Sequence, residues 1–232
     1  MTRPLALACL LLVAPGRTVA IDVSFKITDA RGQPVADAIV ALYPLDAPVP
    51  PATRVPAVEI EQRDLQFSPF VTPLRTGSSA VLPNHEKKVE HHVYSSSPAK
   101  PFEFPLYKPG TAETVVFDHP GLVVLGCNIH DSMLAYVAVL ETPWFAKTAA
   151  DGIATIAADP PGRYRAEVWH PRLKDAVKSG LAASVQRELT LAPGAPAVSP
   201  SNVLPPAQSF TLALEPDRRI RRSPATSGGG YK

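Results

Sequence analysis

Cys127, His130 and Met133 stand three residues apart in Gly126-Cys-Asn-Ile-His-Asp-Ser-Met133, and no other stretch of the sequence carries chemistry as specific. A thiolate, an imidazole and a thioether together suit copper. Electron-transfer copper sites hold the ion in a near-trigonal plane of one Cys sulfur and two His nitrogens, with a long, weak Met sulfur on the axis. The loop supplies three of these four groups. The missing imidazole must come from elsewhere, and Glu90-His91-His92-Val93-Tyr94 offers two in a strand-like run. Successive residues of a strand face opposite sides, so His91 and His92 cannot readily serve one ion together. One of them ligates and the other does not.

The elements that must position these groups are strands. Residues 122–125 form an apolar run that ends just before Cys127. A tight turn then folds His130 and Met133 back toward the same point, and residues 134–140 leave as the next strand. The histidine of the 90–94 run comes from a distant strand, so the fold rather than the loop completes the set. Asn128, Asp131 and the non-ligating neighbour, His92 if His91 ligates, are placed to brace the site, since hydrogen bonds from outside the ligand shell orient ligands. The bland readings of the same residues are a buried structural Cys and a Met that only packs. His85, His119 and His170 stand beside turn residues and are expected on the surface. Ser95-Ser-Ser97 has no matched base and acid at a recognisable spacing and reads as a loop.

The pattern is all-β. Pro accounts for 27 of 232 residues, which argues against long helices because Pro breaks the helical hydrogen-bond ladder. Short alternating or apolar runs at 57–61, 70–74, 80–82, 91–94, 114–117, 122–125 and 134–140 fit a β-sandwich. Runs at 23–28 and 38–42 flank the turn Asp29-Ala-Arg-Gly32 and read as a hairpin. Further strands are expected at 153–156, 164–169, 185–191 and 210–214. Residues 45–57 form a Pro-rich linker, 192–207 a loose Pro-rich loop and 216–232 a disordered tail. No internal repeat is visible.

Residues 1–20 read as a secretory signal, with Arg3 ahead of an apolar core and Thr18-Val19-Ala20 as cleavage site. The apolar run falls short of the roughly 20 residues of a membrane-spanning helix, and no later run approaches that length. Cys9 would leave with this segment, so Cys127 is left without a disulfide partner in an oxidising, periplasmic or extracellular compartment, where a bound metal would protect it. Losing Arg3 and Arg17 leaves 21 basic residues against 21 acidic. With Arg218, Arg219, Arg221 and Arg222 in the tail, no basic face remains on the body for nucleic acid.

On these motifs the stretch 58–141 resembles a cupredoxin, the small blue-copper Greek-key sandwich, and among cupredoxins the amicyanins. Amicyanins carry the same compact Cys-x-x-His-x-x-Met loop, and their first His follows Pro in a Pro-His-Asn-Val run, a place held here by Glu90-His91-His92-Val93. The resemblance implies that His91 is the first ligand. His-His-Val-Tyr, Ser97-Pro-Ala-Lys100 and Gly126-Cys-Asn-Ile-His together are similar to the bacterial "methylamine utilization protein" family, a label that itself derives from amicyanin. One departure concerns the loop: amicyanin has prolines flanking the loop His, where this chain has Ile129 and Asp131. Residues 21–44 and 142–215 resemble two parts of a transthyretin-like, carboxypeptidase regulatory-like sandwich, through Asp29-Ala-Arg-Gly-Gln-Pro-Val35, Asp151-Gly152 and Pro160-Pro-Gly-Arg-Tyr164. The resemblance implies that the copper domain is inserted into this second sandwich, the alternative being that 23–42 adds strands directly to the cupredoxin.

The expected function is a one-electron carrier with one type 1 copper, acting between redox protein partners through the edge of His130 with Ile129 and Ser132. An enzyme is not expected: one cysteine excludes the two-cysteine dinuclear copper centre, and no paired His-x-His motifs mark an oxygen-reducing cluster. The competing class is a non-redox copper-binding or delivery protein, or an exported interaction module with a vestigial site.

Overall fold

The computed structural model describes residues 20–52, 57–192 and 207–217. The expected secretory signal with Cys9, part of the expected 45–57 linker, nearly all of the expected 192–207 loop and the expected tail beyond residue 217 lie outside the described residues. Every long element is a strand. Two come first, β1 (Ile21–Asp29) and β2 (Ile39–Pro44). The central stretch begins with β3 (Val58–Glu59), β4 (Glu61–Arg63), β5 (Gln66–Ser68), β6 (Val71–Arg75) and β7 (Ser78–Pro83). It continues with β8 (Val93–Ser95), β9 (Phe102–Glu103), β10 (Ala112–Phe117), β11 (Gly121–Cys127) and β12 (Leu134–Leu140). The last group is β13 (Phe145–Lys147), β14 (Ile153–Ala158), β15 (Gly162–Trp169), β16 (Val185–Leu191) and β17 (Gln208–Leu212), with one short 3₁₀ turn at Gly180–Ala183.

Pairing divides these strands. β14-β1-β17 form one sheet and β13-β2-β15-β16 another, so the first two strands pair with the last five. The strands from β3 to β12 pair among themselves, as β10-β7-β3, β6-β12-β11-β8-β9 and the small hairpin β4-β5.

β1 and β2 do not form the expected hairpin. Asp29 Oδ1 accepts the N–H groups of Arg31 and Gln33, which makes the turn. The chain then touches β1 only at a Thr28–Pro34 bridge before crossing to the opposite sheet. Local alternation is satisfied either way, and β2 with Ile39, Val40, Ala41 and Leu42 all buried fits a central strand between β13 and β15.

Two cores result, and the five-stranded sheet separates them. On β12, Ala135, Val137 and Val139 enter one core while Tyr136, Ala138 and Leu140 enter the other. This is the period-2 alternation of a strand with both faces buried, and it explains an unbroken apolar run. β11 does the same, sending Val123, Leu125 and Cys127 into the inner core and Leu122 into the outer one. Tyr136 meets Trp169 of β15 edge to face, with ring centroids 5.9 Å apart. Cys127 therefore sits at the end of a row of core positions.

His170 departs from expectation, being 5% exposed, with its Nδ1 accepting the Arg172 N–H at 3.0 Å. The following Pro171 marks a turn, and that turn folds inward. His85 and His119 are exposed as expected. Ser95 and Ser97 are structural: Ser95 Oγ accepts the Ser97 N–H and Ser97 Oγ accepts the Val124 N–H.

Candidate metal centre

Cys127 closes β11 and is 4% exposed. Gly126 precedes it beneath the Tyr94 ring: a Cβ there would lie 3.0 Å from that ring, which would have to shift to admit it. After Cys127 the chain turns, Met133 donating its N–H to the His130 carbonyl at 2.9 Å. That turn brings the His130 ring back over the sulfur. Its Nδ1 lies 3.6 Å from Cys127 Sγ, and the residue is half-exposed.

His91 arrives from the other side. It precedes β8 rather than lying in it, held by a reciprocal backbone pair in which Tyr107 N–H donates to His91 O at 3.0 Å and His91 N–H to Tyr107 O at 3.2 Å. The residue is fully buried, and its Nδ1 is also 3.6 Å from Cys127 Sγ. The two imidazoles stand 5.2 Å apart between centroids at 68°. Ligand atoms of His91, Cys127 and His130 all lie within 4.8 Å of one another.

These distances can be tested against a bound ion. Donors at roughly 2.0–2.1 Å (imidazole) and 2.3 Å (thiolate), subtending about 110–120° at one metal, lie about 3.5–3.8 Å apart. The two 3.6 Å separations match. A thiol has one proton and can donate to only one ring, whereas a metal uses all three lone pairs at once.

Burial pushes the His91 imidazole below its ordinary value, against the hydrogen bond to Glu86 and with the nearby His130 adding to the depression. A ring that resists protonation keeps its lone pair available to a metal. Burial likewise pushes the Tyr107 hydroxyl up, keeping it a neutral donor to the Leu82 carbonyl at 3.1 Å.

Met133, 2% exposed, belongs to the same core as Cys127. His92 turns its ring away, its Nε2 lying 3.0 Å from Glu103. It braces the loop through its backbone instead, its carbonyl accepting the Asn128 N–H at 3.0 Å. Asn128 and Asp131 are exposed. Two residues behind His91 escaped the sequence reading. Asn84, fully buried, accepts the Glu86 N–H at 3.0 Å and donates to the Val89 and Tyr107 carbonyls at 2.9 and 3.1 Å, organising the loop that carries His91. Glu86 faces His91 Nε2 at 3.4 Å. A second group, Glu59, Glu61 and His85, lies at the surface, where Glu61 is already engaged by Arg63 and His85.

The chain is thus an all-β protein in which a thiol and two imidazoles converge, with a methionine sharing their core. No protein-family model matches the chain, and no curated protein matches its sequence. Among solved structures it is similar to a copper(I) form of an amicyanin variant, at 16% identity over 36% of this chain and 82% of the other, with a TM-score of 0.34. A purple cupredoxin from Nitrosopumilus maritimus is 20% identical over 36% of this chain and 99% of its own, with a TM-score of 0.33. A copper-containing nitrite reductase from Thermus scotoductus is 21% identical over 43% of this chain but only 25% of its own, with a TM-score of 0.36. Likeness this slight assigns no residue a role.

Proposed function

We propose that the chain is an exported copper protein carrying single electrons between redox protein partners, in which His91, Cys127, His130 and Met133 would hold the copper. The observation that carries this reading is the approach of two Nδ1 atoms, one from the Cys127 loop and one from a distant segment, to one buried sulfur, each at 3.6 Å. Copper bound there would supply a Cu(II)/Cu(I) couple. The residues supply rigidity: Cys127 ends a strand paired on both sides, with β12 and with β8, and His91 is pinned at Tyr107. A donor set that cannot relax keeps the rearrangement between oxidation states small.

Electrons would enter and leave at His130, the half-exposed member of the trio. Ile129 beside it is 49% exposed, and Ser132 is exposed as well. Such partners meet through small, short-lived contacts, below about 1,200 Å². The burial of Cys127 and His91 speaks against a delivery protein, whose cargo must leave. Within this reading, residues 58–141 form a cupredoxin domain inserted into a sandwich built from 21–44 and 142–215. The pairing of β1 and β2 with β13, β14, β15 and β17 supports the insertion. So does the bond from Thr142 Oγ1 to the Leu42 carbonyl at 2.6 Å, which sets the exit and return of the chain side by side.

Titration with Cu(II), followed by visible absorption, tests the function. The wild type is expected to develop an intense thiolate-to-copper band at one equivalent, and Cys127→Ser to lack it. A fully loaded wild type without that band would exclude the carrier.

A further inference from the structure

Glu86 belongs to none of the roles above, yet its side chain is 11% exposed and lies against a fully buried imidazole. Its Oε1 accepts the Leu65 N–H at 2.7 Å. The same oxygen faces His91 Nε2 at 3.4 Å, a long contact that orients more than it binds. The opposite ring nitrogen, Nδ1, faces the Cys127 sulfur. A line of groups therefore runs from a hairpin tip through a carboxylate and an imidazole to the thiol.

The anchor is a firm one. Asp64 and Leu65 both lie at positive φ, 53° and 57°, the two-residue turn that matches the twist of a tight hairpin. The carboxylate's own backbone is tied by Asn84 Oδ1 at 3.0 Å. The oxygen that accepts the Leu65 N–H is the one turned to the His91 ring, so Glu86 presents an acceptor to Nε2. A neutral imidazole beside it must then carry its proton on Nε2, which leaves the Nδ1 lone pair directed at Cys127.

We infer that Glu86 is a positioning residue that holds His91 in its Nε2–H tautomer and, in the copper protein, strengthens that imidazole as a donor so that the oxidised form is favoured. The second half rests on the copper reading above; the first does not. Carboxylate–histidine–metal triads have this form, and losing the outer partner typically costs 10–100-fold in metal affinity. His130 has no carboxylate partner among the described residues, so the two imidazoles are unequal: one braced and buried, one free to meet a partner.

The test has two readouts. In the metal-free protein, nitrogen-15 NMR of the imidazoles is expected to show His91 as Nε2–H in the wild type and in Glu86→Gln, with the Nδ1–H form growing in Glu86→Ala. Both contacts use one oxygen, so Glu86→Gln can keep them and removes only the charge. In the copper-loaded protein, Glu86→Gln is expected to keep the absorption band while raising the Cu(I)/Cu(II) ratio at fixed poise about tenfold, or ~59 mV for a one-electron couple. A wild-type His91 protonated on Nδ1, or a Glu86→Ala protein with unchanged tautomer, would overturn the positioning role. An unmoved potential in Glu86→Gln would overturn the tuning role. Since the first readout needs no metal, a missing copper band would sink the proposed function without touching the tautomer result.

Discussion

The two cores of this protein are built alike and end differently. The outer core, under β1, β2, β14, β15 and β17, is closed by aromatic packing: Trp144 on Tyr164 at 5.7 Å and Trp169 on Tyr136 at 5.9 Å. The inner core, within the β3 to β12 stretch, follows the same alternation until its last positions, where Cys127, Met133 and His91 stand where apolar side chains would otherwise continue. Folding the inner core therefore places Cys127, Met133 and His91, while the turn closed by Met133 N–H to the His130 carbonyl places His130. Cys127 itself pairs with Val93 of β8, and the ladder to β12 ends one residue earlier, at Gly126.

The largest expected effect separates stability from the site. Replacing Trp169 with Ala empties a position 1% exposed in the outer core and is expected to cost about 3–5 kcal/mol, read by urea unfolding. The copper band of the protein that remains folded should keep its shape. A changed band would mean that the outer core reaches the donors through Tyr136 and the shared sheet, and the contrast between the regions would blur.

A smaller effect comes from pH in the metal-free protein. His91 is held below its ordinary value of 6.5, chiefly by burial, so the unfolded chain takes up that proton before the folded one. Stability should decline as pH falls from about 6.5 until the folded ring also protonates. Asp29, lowered by the Gln33 N–H, and Asp46, lowered by its hydrogen bond to Arg163, depart downward from 3.8. Their contribution is present above that value and lost only as pH falls below it. Melting temperatures across pH should show the first decline in the wild type and not in His91→Ala, while the acid decline survives in both. A wild type flat between pH 7 and 5 would contradict the depressed imidazole.

Legibility in the sequence followed the range of the interaction. The Cys127–His130–Met133 loop could be read because its spacing is local, and β12 because an apolar run of both parities needs two buried faces. The choice between His91 and His92 was half legible, since alternation says that one faces the site but not which. Pairing partners were not legible: the 23–28 and 38–42 runs satisfy a hairpin and a crossover equally. Glu86 was hidden because its role depends on a hairpin tip twenty-one residues earlier, and no local pattern joins Leu65, Glu86 and His91. The burial of His170 was not legible, because a Pro171 turn is locally the same whether it faces solvent or, as here, folds against the core.

Visible absorption of the Cu(II)-loaded single variants His91→Ala and His92→Ala tests most directly the proposal that an imidazole from a distant segment closes the site begun by the Cys127 loop. The geometry predicts that the band disappears in His91→Ala and persists in His92→Ala; a band that survives the first substitution, or is lost with the second, would contradict it.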